Sequence, residues 1–162
     1  MVRALAATRR QARERALSLL YEAETKGVTP AEVVADLPLE PAPFASELVL
    51  GFGEHQAEVD CWIVRFARDW ALERMPALDR ALLRLGVYEL AFRPDVPTGA
   101  VISEAVELAQ RYSTDDSSRF VNGVLAAIAA EVRPGSKAAP VVIGPAPDLP
   151  EPVPFDEEPD EL

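Results

Sequence analysis

One cysteine, Cys61, and one histidine, His55, stand in the 162 residues of the chain. A lone cysteine closes no intrachain disulfide, which suits a reducing compartment, and we expect Cys61 as a small buried hydrophobe beside Trp62 and Ile63. One histidine and one cysteine do not assemble a zinc site of ordinary composition. No apolar run approaches the roughly 20 residues that a bilayer crossing needs. The opening, MVRALAATRRQARERALSLL, has no apolar stretch ending in a cleavage site and does not read as a secretory signal, so a cytoplasmic location is expected. Catalytic punctuation is missing too: there is no glycine-rich loop after a strand, no GxxxxGK, no GxSxG and no HExxH. Carboxylates at helical spacing, such as Glu104 and Glu107, read as a solvated face. The expectation is a protein that is not an enzyme and needs neither cofactor nor metal.

Lysine is scarce as well, present only at Lys26 and Lys137, and arginine is the default cation. The net charge of −11 argues against a nucleic-acid partner if the charge is spread evenly. It is not. Residues 1–15 carry Arg3, Arg9, Arg10, Arg13 and Arg15 against Glu14 alone, whereas residues 134–162 set Lys137 against seven acids. The same 134–162 segment holds eight of the fifteen prolines. It cannot bury enough apolar surface to offset its ordering entropy, and is expected to be a disordered extension of a single domain over 1–133.

Within that domain the periodicity is helical throughout, predicting an all-α bundle of about seven helices. One helix runs from Arg9 to Thr25 and closes at Lys26-Gly27. Thr29-Pro30-Ala31-Glu32 forms a capping box opening a short helix that ends near Asp36. Helical patterns follow over Pro43 to Phe52 and Glu54 to Asp69, the latter with Val59, Trp62, Ile63 and Phe66 on one stripe. The segment from Pro76 to Phe92 is apolar around most of its circumference, as the central helix of a bundle is. Two more helices follow, one carrying Val101 to Ala109 and one capped by Thr114 that buries Phe120, Val121, Val124, Leu125 and Ile128. Asn122-Gly123 reads as a close helix–helix contact, since glycine inside a helix costs about 1 kcal/mol against alanine. Whether the surface near Trp62, Trp70 or Tyr88 is core or the contact of a homodimer is left open by periodicity.

The first helix poses a problem. Ala16, Leu17, Leu19, Leu20 and Ala23 define its apolar arc, with Tyr21 at the edge, yet Arg9 and Arg13 fall in the middle of that arc. Unpaired arginines are costly to bury. Either this end of the helix projects past the core, or the arginines meet anions there, and RNA phosphates and neighbouring carboxylates are both eligible.

Arg9-Arg10-Gln11-Ala12-Arg13 followed by Ala16 and Leu20-Tyr21 resembles the arginine-rich opening of the NusB family. Asp79-Arg80-Ala81, Leu83-Arg84-Leu85 and Tyr88-Glu89-Leu90 resemble its central helix. Pro97, Val101-Ile102, Glu104-Ala105-Val106-Glu107-Leu108-Ala109 and Thr114-Asp115-Asp116-Ser117 leading to Phe120-Val121-Asn122-Gly123-Val124-Leu125 resemble its last two. The resemblance covers residues 8–133. It implies two small three-helix groupings without a cofactor, and binding of boxA RNA in ribosomal-RNA leaders or phage transcripts. It further implies joint action with NusE, which is also a small-subunit ribosomal protein, in an antitermination complex on RNA polymerase.

Carried onto this sequence, the resemblance implies RNA contacts at Arg9, Arg10, Arg13, Tyr21, Asp116 and Phe120, and a NusE-facing acid at Asp79. Each position has a structural alternative. Phe120 fits the core face beside Val124, Asp116 suits a helix N-terminus, and Asp79 can be an exposed helix acid. Ribosomal-RNA cytosine methyltransferases also carry a NusB-like domain, but the 29 residues after 133 hold neither glycine-rich loop nor catalytic cysteine. A helical interaction module without RNA specificity is the remaining alternative.

Overall fold

The computed structural model describes residues 2–68 and 70–135. The proline-rich extension read over 134–162 lies, from residue 136 on, outside the described residues. Among the described residues, seven α-helices and one 3-10 turn are formed: α1 (Val2–Lys26), α2 (Pro30–Ala35), α3 (Pro43–Glu54), α4 (Gln56–Phe66), the 3-10 turn Leu72–Arg74, α5 (Ala77–Phe92), α6 (Thr98–Tyr112) and α7 (Asp115–Val132). No strand occurs among the described residues.

Local signals set most of the boundaries. Gly27, at φ 67°, ends α1, with the Val28 amide donating to Ala23 and the Gly27 amide to Glu24. That pair of bonds satisfies carbonyls that the helix end would otherwise leave orphaned, and it uses a conformation open to glycine. The capping box at Thr29 and Glu32 forms in both directions. The accepted bond from the Thr29 amide holds the Glu32 carboxyl below its ordinary range. The end of α5 has a cap from far along the chain. Arg133 donates to the carbonyls of Glu89, Leu90, Arg93 and Val96 and to the Thr98 hydroxyl.

Two groupings result, α1–α2–α3 and α5–α6–α7, joined where α1 and α3 pack on α5, with α4 lying against α5 and α7. The helix at the centre is α5, in which Ala81, Leu82, Leu83 and all of Leu85 to Leu90 are buried. On α4, Val59 and Ile63 are buried, and Trp62 and Phe66 stack half-exposed at 6.0 Å. Cys61 is exposed, contrary to expectation. It stands two residues from both Val59 and Ile63, about 200° round the helix and so on the opposite side.

Close packing of α5 on α7 depends on Gly86. A Cβ there would stand 2.7 and 2.8 Å from the two methyls of Leu125, which is fully buried. Gly86→Ala is therefore expected to destabilise the fold by about 1–3 kcal/mol, despite alanine's better helix propensity. A urea titration checks it, and a stabilised variant would mean that the α5–α7 spacing relaxes freely.

Candidate functional site

The buried arc of α1 solves the problem of its arginines with anions from the protein itself. Arg13 is only 5% exposed. Its Nε donates to both carboxylate oxygens of Glu89 at 3.1 Å, and its Nη2 donates to Oε1 at 2.8 Å. Glu89 comes from the last turn of α5 and is equally buried. Burial pushes its carboxyl above the ordinary range, and the Arg13 guanidinium pulls it back. Arg13, expected to meet an RNA phosphate, instead has its Nε and Nη2 donors taken by Glu89 in this structure.

Arg9 and Arg10 lie nearer the surface. Arg9 is half-buried, 3.8 Å from Asp95 and over the ring of Phe44 at 4.9 Å. Arg10 is exposed and grips Glu104 with two near-parallel bonds of 3.1 Å, while its Nη2 lies 3.3 Å from Glu107. The Glu104 hydrogen bond, reinforced by the charges of Glu104 and Glu107, raises the guanidinium pKa further. Glu104 and Glu107 are thus partners of α1 rather than a plain solvated face. A phosphate reaching Arg10 exchanges with them, giving up one charge-assisted pair for another. Tyr21, about three turns further along α1, is 46% exposed.

The second group sits at the start of α7. The Thr114 hydroxyl accepts from the Ser117 amide, and Asp115 and Asp116 fill the first turn, where the helix dipole favours negative charge. Asp116 is exposed there. Phe120, one turn on, is half-buried, its ring meeting Trp70 edge-on with centroids 4.9 Å apart. Part of the Phe120 ring belongs to the core and part is open.

Asp79 is not exposed. It is fully buried in the first turn of α5, accepting from Ser113 Oγ at 2.9 Å and Ser117 Oγ at 2.8 Å. Both the surface-acid reading and a direct NusE contact are corrected for this conformation, because the carboxylate fastens the α6–α7 turn to α5. Sequence reasoning passed over Glu89 as a partner for Arg13, and it also passed over Arg15. The signal for Arg15 was available, since two residues from Arg13 is about 200° round the helix, on the solvent side. Of the four arginines from 9 to 15, Arg15 alone has no ion pair among the described residues, and it is exposed.

The family model described as NusB family matches residues 10–130. The chain is 48% identical over 127 residues to the transcription antitermination protein NusB of Kineococcus radiotolerans, covering 76% of this chain and 93% of that one. It is 50% identical over 133 residues to the protein of the same name from Beutenbergia cavernae, covering 74% and 87%. Among solved structures it resembles T. maritima NusB with a TM-score of 0.70 at 33% identity, covering 78% of this chain and 93% of that one. A structure described as antitermination factors NusB and NusE in complex with dsRNA gives a TM-score of 0.66 at 31% identity, covering 77% and 98%.

Proposed function

The chain belongs to the NusB family of transcription antitermination proteins, and from that premise we propose that it binds boxA-type single-stranded RNA jointly with NusE. The pair then joins the RNA polymerase antitermination complex during ribosomal-RNA transcription. In this reading the protein is a non-enzymatic, cytoplasmic binding factor whose working unit is residues 1–133. Among the described residues no helix is long and apolar enough to cross a membrane. The observation that carries the reading is the family match over residues 10–130, which takes in both the arginine helix and the start of α7.

The residues divide by chemistry. Arg9 and Arg10 supply exposed or half-exposed guanidinium groups for phosphate, Tyr21 and the open part of Phe120 offer ring faces to unpaired bases, and the exposed Asp116, one turn before Phe120, offers an acceptor. Arg13 supports the site from inside by fixing α1 on α5. Asp79 serves the partner indirectly, by holding the corner between α6 and α7.

The test is a titration of boxA-type and scrambled single-stranded RNA, with and without NusE. Matched RNA is expected to bind more tightly than scrambled, and more tightly still with NusE. Neutralising Arg9 and Arg10 together should flatten the slope of log K against log salt by about 1.4, because each single-strand phosphate contact contributes roughly 0.7. Phe120→Ala should weaken binding by about 1–3 kcal/mol with little change in slope, since stacking releases no counterions. Equal affinity for matched and scrambled RNA in every condition would reduce the protein to a helical interaction module without RNA specificity.

A further inference from the structure

Between α1 and the C-terminal end of α6 lies an open groove of about 710 Å3, and of the residues so far assigned to RNA only Tyr21 lines it. Leu17 and Leu78 give it apolar lining, Tyr112 at the end of α6 supplies a second ring, and Arg15 and Glu14 stand on its α1 side. Tyr112 is 47% exposed, as open as Tyr21. Its hydroxyl donates to the Glu14 carboxylate, and Arg111 lies 3.7 Å from the same carboxylate. Glu14 is therefore counter-charged, and the exposed Arg15 guanidinium beside it is left without an ion pair among the described residues.

We propose that this groove holds one unpaired RNA nucleotide, its base against the Tyr21 and Tyr112 rings and its phosphate on Arg15. The inference rests on the RNA-binding reading above and names a further part of that site. Size agrees, since small-molecule sites span about 300–1,000 Å3. Aromatic rings accept any base, because every base has a π-face, and an arginine pairs with phosphate in bidentate fashion. Arg10 must release Glu104 and Glu107 before it can take a phosphate, whereas Arg15 has nothing to release. A peptide helix fits less well, because it needs a continuous apolar trough and here two leucines are flanked by charge.

The experiment uses the full chain with NusE. The probes are a boxA-type single strand and a set of copies each carrying one abasic position. Tyr112→Ala is expected to weaken binding about 5- to 150-fold, the equivalent of one stacked base. Tyr112→Phe, which keeps the ring and loses the bond to Glu14, should bind like the parent. One abasic position that weakens the parent should cost nothing more in Tyr112→Ala, a coupling that a merely structural role would not produce. Arg15→Gln should flatten the salt slope by about 0.7. If Tyr112→Phe is as weak as Tyr112→Ala, the tie to Glu14 is what matters and the nucleotide site is overturned. If Tyr112→Ala binds RNA normally while neutralised Arg9 and Arg10 weaken it, the groove is overturned and the RNA reading stands. A loss of NusE affinity alone would give the groove to the protein partner instead. A parent chain that binds no probe, with or without NusE, removes both.

Discussion

Arg13→Met is expected to destabilise the fold by about 3–5 kcal/mol, because it leaves the Glu89 carboxylate buried without its counter-charge. Arg13 and Glu89 are 5% and 2% exposed and meet through three hydrogen bonds, so water replaces none of what is lost. Methionine fills much of the arginine stem's volume, which confines the loss to charge and hydrogen bonding. The double variant Arg13→Met with Glu89→Leu should recover most of the stability, since a buried pair exchanged for apolar groups of similar size is often neutral. Urea titrations of both single variants and the double one give the coupling directly. The pH dependence has a definite sign. Burial already raises the Glu89 carboxyl above its ordinary value, and removing Arg13 raises it further. A carboxyl whose folded pKa exceeds its unfolded one favours the folded state most fully below the unfolded value, and that stability is lost as pH rises through the folded value. The deficit of Arg13→Met should therefore shrink as pH falls toward the ordinary glutamate range. A deficit below about 1 kcal/mol at neutral pH would show the pair to be solvated, and would return Arg13 to the list of phosphate ligands.

Much of this architecture could be read from periodicity and caps. Gly27, the capping box at Thr29 and Thr114 before α7 are local signals, decided by residues three or four apart, and each marks the boundary it predicts. The run of buried residues in α5 likewise follows from an apolar pattern with few polar interruptions. What escaped was long-range. The helical wheel placed Arg13 among apolar neighbours and posed the right alternatives, but Glu89 lies 76 positions away and no spacing rule links the two. Asp79 escaped for the same reason, its two hydroxyl partners being 34 and 38 positions on. Cys61 is the opposite case, since its angular distance from Val59 and Ile63 already put it outside and a residue-type preference overrode the geometry. The candidate RNA site divides accordingly. Its residue types were visible, but which arginines remain available depends on carboxylates from other helices.

Asp79→Ala should cost about 3 kcal/mol, and its effect should concentrate at the start of α7. Hydrogen bonds to a charged group are worth roughly 1.5–3 kcal/mol each, and Asp79 accepts two, from Ser113 and Ser117. The sum is tempered because Ser113, Thr114 and Ser117 also bond among themselves and can regroup. The carboxylate further lies in the first turn of α5 and against the first turn of α7, where two helix N-termini favour negative charge. Asp79→Asn keeps the shape and an acceptor but loses the charge, so about half the cost should return. Amide exchange should quicken in the first turn of α7, around Asp116, while the buried middle of α5 keeps its protection relative to global stability. RNA affinity should then fall through loosened placement of Asp116 and Phe120, with the salt slope unchanged because no phosphate contact is removed. An exposed acid facing a partner predicts something different: a stability change within about 0.5 kcal/mol and weakened NusE binding. A near-neutral Asp79→Ala that still loses NusE would mean that this carboxylate swings out of its pocket in solution, and that the α6–α7 corner is held by Thr114 and the serines alone.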